Sequence, residues 1–245
     1  MRVRALFAVI GLGVALGAGS AHAIGGGAPD GEGHPYVAFI RSGPLVCSGA
    51  AISDRLVVTG AHCFDVPGGP VMVTFDQNRR SPSAVFHAGT WNPDPQFGSA
   101  PGHDLAVIVL DEPAPRPRYA QLPSPGLVAS LENKTRVDLV GYGVEEFLHG
   151  GGPPMPARPS GLRMTAPAEL HSSKPSDLFV KLSANESQDK GSACFGDSGG
   201  PNLLAGTDTV LALNSFAANL QCTGVTYSYR LDIPAALGFI DDFTP

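Results

Sequence analysis

Apolar residues in this chain fall in short runs, cut repeatedly by Gly, Pro, Asn and Asp. That spacing favours strands over helices. Strands are predicted over Tyr36–Ile40, Leu45–Ile52, Leu56–Thr59, Val71–Phe75, Ala84–Ala88 and Leu105–Leu110. Further strands are predicted over Arg136–Tyr142, Leu162–Glu169, Leu178–Leu182, Thr209–Phe216 and Val225–Leu231. Between the two groups, the thirteen residues Pro113 to Pro125 carry five prolines. Proline cannot join a central ladder, so this stretch is expected to drape between two halves of the chain. Pro234–Phe243 places apolar residues at helical spacing behind a proline, which predicts a short C-terminal helix. Glu145 to Ser160, with its Gly150-Gly151-Gly152-Pro153-Pro154 run, reads as a flexible surface loop. The class is all-β.

The first 23 residues read differently. Met1-Arg2-Val3-Arg4 is basic, Ala5 to Gly19 is apolar and uncharged, and Ala21-His22-Ala23 has the small-x-small form of a cleavage site. A signal peptide over 1–23 and a secreted, extracellular product are expected; the apolar run is near the short end for a membrane span. No later segment is long and apolar enough to cross a bilayer, so no membrane association is expected after cleavage. Removing 23 of 245 residues leaves 222, enough for one large or two small cores. With 31 Gly and 23 Pro the chain has many turns, and 43% hydrophobic content argues against disorder. Loss of Arg2 and Arg4 takes the formal net charge from −6 to −8. No basic cluster is long enough to suggest nucleic acid.

Four cysteines, Cys47, Cys63, Cys194 and Cys222, all lie in the exported part. An even count in a secreted chain reads as disulfides, with three connectivities open. A zinc site of four thiolates is the alternative, but no CxxC pair is present. No metal or other cofactor is expected.

The most informative run is Cys194-Phe195-Gly196-Asp197-Ser198-Gly199-Gly200-Pro201. Packed glycines let the backbone turn tightly around one serine and can set two N–H groups beside its hydroxyl. A nucleophile next to an anion-binding backbone pocket is what acyl transfer needs. Thr59-Gly60-Ala61-His62-Cys63 sets a histidine behind an apolar run, and Asp104 opens the strand Leu105–Leu110. His103 adjoins Asp104, but neighbours in a strand point to opposite faces, so it is given no role. His34, His87, His149 and His171 are likewise left without one.

In chain order these residues are His62, Asp104 and Ser198, and with them the chain resembles the chymotrypsin-like (trypsin-family) serine proteases. The resemblance covers essentially everything after residue 23, giving one protease domain over 24–245. It implies two six-stranded antiparallel β-barrels, the crossing near 113–125, and a short C-terminal helix. It implies that His62 and Asp104 come from the first barrel and Ser198 from the second. Ser198 would be the nucleophile, His62 its general base and acid, and Asp104 the group fixing the imidazole tautomer. Gly196 and Ser198 N–H groups would form the oxyanion hole. The implied disulfides are Cys47–Cys63 and Cys194–Cys222. Departures from the family pattern include Gly60 for a commoner alanine, Tyr142 for tryptophan in Gly141-Tyr142-Gly143, and Ser215-Phe216-Ala217 for Ser-Trp-Gly.

Further expectations follow from the resemblance. Ser192, six residues before Ser198, falls at the base of the primary pocket, and Phe216 and Ala217 at its wall, with Ser215 on the substrate-binding edge. Serine there offers a cationic side chain no partner, so uncharged apolar P1 residues are expected, Leu, Met or smaller ahead of Trp. Cleavage after Ala23 would expose Ile24-Gly25-Gly26-Gly27, whose ammonium is expected to pair with Asp197 and hold the oxyanion loop open. Such pairing raises the amine pKa, so activity would be lost as pH climbs through the folded-state value. The expected partners are polypeptide substrates, and the protein itself is expected to be a monomer. A non-catalytic binding protein on the same scaffold is the competing class, and a hydrolase of non-peptide acyl groups a third.

Overall fold

A computed structural model describes residues 24–100, 102–144, 147–148, 155–156, 159–171, 176–184, 190–222 and 224–244. The expected leader lies outside the described residues, as does Thr223.

After the two-residue β1 (Ala28–Pro29), six strands build a first barrel: β2 (Val37–Ser42), β3 (Leu45–Ala51), β4 (Leu56–Thr59), β5 (Pro70–Thr74), β6 (His87–Pro93) and β7 (Ala106–Leu110). They close in the order β2-β3-β4-β7-β6-β5, every pair antiparallel. Residues 113–125 then cross to the second half, past a single helical turn α1 (Leu127–Ser130). The remaining strands are β8 (Arg136–Gly141), β9 (Phe147–Leu148), β10 (Met155–Pro156), β11 (Met164–Leu170), β12 (Phe179–Ala184), β13 (Pro201–Leu204), β14 (Val210–Ala217) and β15 (Gly224–Arg230). Strands β11-β12-β15-β14-β13-β8 close on themselves through β8–β11 pairing, β1 adds to β11, and β9–β10 is a separate hairpin. Closure leaves neither barrel with a long exposed edge.

Burial follows the period-two pattern. In β11, Met164, Ala166, Ala168 and Leu170 are buried while the residues between them are half-buried. Helix α2 (Pro234–Asp241) starts with proline at its first turn and buries Ala236 and Ile240, one turn apart on one face.

Several strands differ from the expectation, the two-residue β1 among them. The strand predicted at Ala84–Ala88 runs instead over His87–Pro93, because Trp91 packs inward opposite Ile108 although Gly89, Asn92 and Pro93 read as breakers. Strand β13 was not anticipated; its proline occupies the first position, where a missing N–H is tolerated. The β9–β10 hairpin falls inside the stretch read as loop.

Candidate active site

His62 rides on one 3₁₀ turn, Ala61–Cys63, leaving the end of β4. The Cys47–Cys63 disulfide ties that turn to β3 across 16 residues of sequence. Asp104 precedes β7, which pairs with β4, so the ladder sets histidine and carboxylate side by side. His62 Nδ1 lies 2.8 Å from Asp104 Oδ2, and the His62 backbone N–H donates to Asp104 Oδ1 at 3.0 Å. Ser215 Oγ also donates to the Asp104 carboxylate. Burial works to raise the Asp104 pKa, but the His62 hydrogen bond and charge, with the Ser215 hydroxyl, outweigh it and hold the carboxyl below its ordinary value. With Nδ1 engaged, Nε2 is the nitrogen His62 has free for proton transfer.

His62 and Ser198 line one cleft of about 530 Å³, together with Ser215, Phe216, Ala217 and Thr226. Ser192, expected at the base of the pocket, is not among the residues that line this cleft; it is buried and paired through its backbone with Gly25. None of the described lining residues is acidic.

The loop bearing Ser198 is fixed from below. Val144 N–H donates to Phe195 C=O at 2.8 Å, and the Asp197 carbonyl accepts from Gly200 N–H and Asn214 Nδ2 at 2.9 and 3.1 Å. In a trans peptide the carbonyl and the following N–H point oppositely. Anchoring those two carbonyls therefore turns the Gly196 and Ser198 N–H groups to the other side, where neither donates to any group among the described residues. Gly196 adopts φ +94°, a region that side chains avoid. At Gly199 a Cβ would lie 2.2 Å from Thr59 Oγ1 and 2.4 Å from Gly60 N, so only glycine lets the two barrels meet this closely. The Cys194–Cys222 disulfide clamps the start of the loop.

Asp197 is fully buried, and its carboxylate accepts from Gly143 N–H at 2.8 Å and Cys194 N–H at 3.0 Å. Ile24 is also fully buried, within the second barrel's cluster of Val137, Leu139, Met164 and Ala166, and Gly25 exchanges two backbone bonds with Ser192. Of the histidines given no role, His103 binds Asp94 at 2.8 Å and His34 binds Asp30 at 2.6 Å. Cys47, His62 and Cys63 place ligand atoms within 4.8 Å of one another, but both sulfurs are spent in a disulfide and offer no thiolate.

Sequence reasoning passed over Ser48. It is fully buried in β3; its hydroxyl donates to Gly196 C=O at 2.9 Å and accepts Tyr142 N–H at 3.1 Å, while its N–H donates to Ser198 C=O. A small polar residue between Cys47 and Gly49 in an apolar run was the available signal.

The cercarial protease of Schistosoma mansoni is 26% identical over 216 residues, covering 76% of each chain. Serine protease SP24D of Anopheles gambiae is 27% identical over 190 residues, covering 75% of this chain and 68% of its own. Among solved structures, human heparin binding protein superposes with a TM-score of 0.69 at 22% identity, covering 91% of this chain and 98% of its own, which is a likeness of fold. A family model described as Trypsin matches residues 23–235, and the chain belongs to the trypsin family of serine proteases.

Proposed function

We propose that this protease cuts polypeptides through an acyl-enzyme on Ser198. His62 Nε2 takes the Ser198 proton as Oγ attacks the scissile carbonyl, and the resulting oxyanion is received by the Gly196 and Ser198 N–H groups. Asp104 holds the tautomer and stabilises the imidazolium, which returns the proton to the leaving amine. Water, deprotonated by the same histidine, then releases the acid. These roles follow the template known for this family. The observation that carries the reading is the pair of anchored carbonyls in the loop of Ser198, a residue that shares its cleft with a histidine already oriented by Asp104.

The specificity reading is uncharged, apolar P1. A cationic side chain entering this cleft would lose hydration and meet no carboxylate among its described lining. Ala217, half-buried at the wall, narrows the entrance.

Ile24 supports the activation reading. It holds φ +56°, a conformation that strains a β-branched residue joined to a preceding peptide. Release after Ala23 removes the preceding carbonyl and with it that clash, and gives the buried Asp197 an ammonium partner. Export and activation are then one cleavage event, and the active form is a secreted monomer. The test is to purify the exported protein, sequence its N-terminus, and profile cleavage on a peptide library beside His62→Ala. The expected result is an Ile24 terminus and cuts after Leu, Met or smaller apolar residues that vanish in the variant. Preferred cleavage after Arg or Lys would overturn the specificity reading.

A further inference from the structure

Arg163 is a fully buried cation that the mechanism does not use, and Tyr142 is the departure from the family pattern that the function left unabsorbed. They meet. Arg163 is 1% exposed, and its guanidinium is spread over three parts of the molecule. Nε donates to Asp30 Oδ2 at 2.7 Å and Nη2 to Gly31 C=O at 2.8 Å, both on the segment that follows Ile24. Nη1 donates to Phe75 C=O at 2.9 Å, at the end of β5, and to the Tyr142 hydroxyl at 3.3 Å. That hydroxyl in turn donates to Asp76 C=O at 2.9 Å. The Arg163 backbone repeats the pattern, taking Asp30 N–H on its carbonyl and giving its own N–H to Gln77 C=O.

The other end of Tyr142 faces the nucleophile loop. Three successive backbone amides hold that loop. Tyr142 N–H reaches Gly196 C=O through the Ser48 hydroxyl, Gly143 N–H donates to Asp197 Oδ1, and Val144 N–H donates to Phe195 C=O. Rotation of residue 142 therefore bears directly on the Phe195–Gly196 peptide, through the adjoining Val144 N–H, and on the Asp197–Ser198 peptide through the Asp197 carboxylate that Gly143 N–H holds. A phenol suits this position because its oxygen both accepts from a guanidinium and donates to a carbonyl; an indole N–H could only donate.

We infer that Tyr142, held by an Arg163 that is itself paired with Asp30, is a positioning residue that couples the seating of residues 24–31 to the geometry of the Gly196–Ser198 loop. The inference rests on the proposed acyl-enzyme mechanism. Neither Tyr142 nor Arg163 touches substrate; they act through the amides of 142–144.

The test uses the mature secreted chain and Tyr142→Phe, which keeps the ring and removes only the oxygen. Loss of one buried hydrogen-bonding group corresponds to about a tenfold fall in kcat with KM nearly unchanged. Reaction with a fluorophosphonate probe is expected to slow in parallel at temperatures well below unfolding. Asp30→Asn, which keeps the shape and removes the charge, is expected to give a similar kcat loss, with a double variant no worse than about the larger single loss. In a chain carrying one extra alanine before Ile24, where seating is already impaired, Tyr142→Phe is expected to cost nothing further. Unchanged kcat in a folded Tyr142→Phe, or fully additive losses, would overturn the coupling. A wild-type chain inert to the probe would overturn the acyl-enzyme reading, and the coupling with it, whereas a reactive wild type with indifferent variants sinks the coupling alone.

Discussion

Replacing Gly196 with alanine separates catalysis from folding at one methyl group. Gly196 has φ +94°, and a Cβ built there lies 2.9 Å from the Gly143 Cα, a backbone atom that cannot swing aside. Gly143 is itself held by its bond to Asp197 Oδ1, and its neighbour Val144 by the bond to Phe195 C=O. The loop must yield instead. A left-handed non-glycine residue costs about 1–2 kcal/mol, and a weakened Val144–Phe195 bond about 1 kcal/mol more. Together these give roughly 2–3 kcal/mol of stability, or about 5–10 °C in Tm for a domain of this size. The catalytic cost is larger, because yielding turns the Gly196 N–H out of line. Losing one oxyanion donor lowers kcat by about 10²–10³. Stopped assays on a chromogenic peptide ester, with Tm measured alongside, resolve the two effects. The expected result is a folded protein with kcat down by about that factor and KM within about threefold of wild type. A destabilised Gly196→Ala that keeps wild-type kcat would refute the oxyanion assignment.

Other expectations come from different parts of the fold. Removing Cys194–Cys222 with paired alanines reopens a 28-residue connection, and the chain-entropy estimate is a loss of about 3–4 kcal/mol, read from urea unfolding; a loss under about 1 kcal/mol would contradict it. In acid, Asp30 and Asp104 both matter. Burial pushes each carboxyl upward, but hydrogen bonds and charges from His34 and Arg163 on the one, and from His62 with Ser215 on the other, leave each below its ordinary value. Their stabilisation is therefore fully present above the unfolded carboxyl value near pH ~4 and is lost as pH falls through the folded values. A plot of Tm against pH should drop below about pH 4, and Asp30→Asn should drop less steeply; parallel curves would contradict the assignment. One extra alanine before Ile24 should lower kcat while leaving the barrels folded by circular dichroism, and full activity in that chain would show that Ile24 does not organise the loop.

The legible parts of this molecule were those that one segment could announce. The glycine-packed run around Ser198, the Thr-Gly-Ala-His-Cys sequence and Asp104 at a strand mouth each carry a local backbone requirement, so they could be read in isolation. Strand β11 was legible because its burial alternates over seven residues. Strand β6 was misplaced because Trp91 is buried by its cross-strand partner β7, a tertiary fact that outweighs the local breakers Gly89 and Asn92. The support beneath the site was silent for a related reason. Arg163 and Asp30 are 133 residues apart, and Ser48 and Gly196 are 148 apart. A buried guanidinium or hydroxyl announces itself only through partners that the fold brings to it. Ser215 was placed on the substrate edge, and the structure adds that its hydroxyl serves Asp104.

The central claim is that Ser198 is an activated nucleophile. Intact-mass and peptide-mapping spectrometry after incubation with a fluorophosphonate tests it most directly, run on a chain that begins at Ile24 beside Ser198→Ala and Asp104→Asn. The account expects one adduct per wild-type chain, located on Ser198, none on Ser198→Ala, and a much slower reaction for Asp104→Asn, whose carboxamide cannot stabilise the imidazolium. A folded wild-type chain that forms no adduct, or one labelled equally in Ser198→Ala, would contradict it.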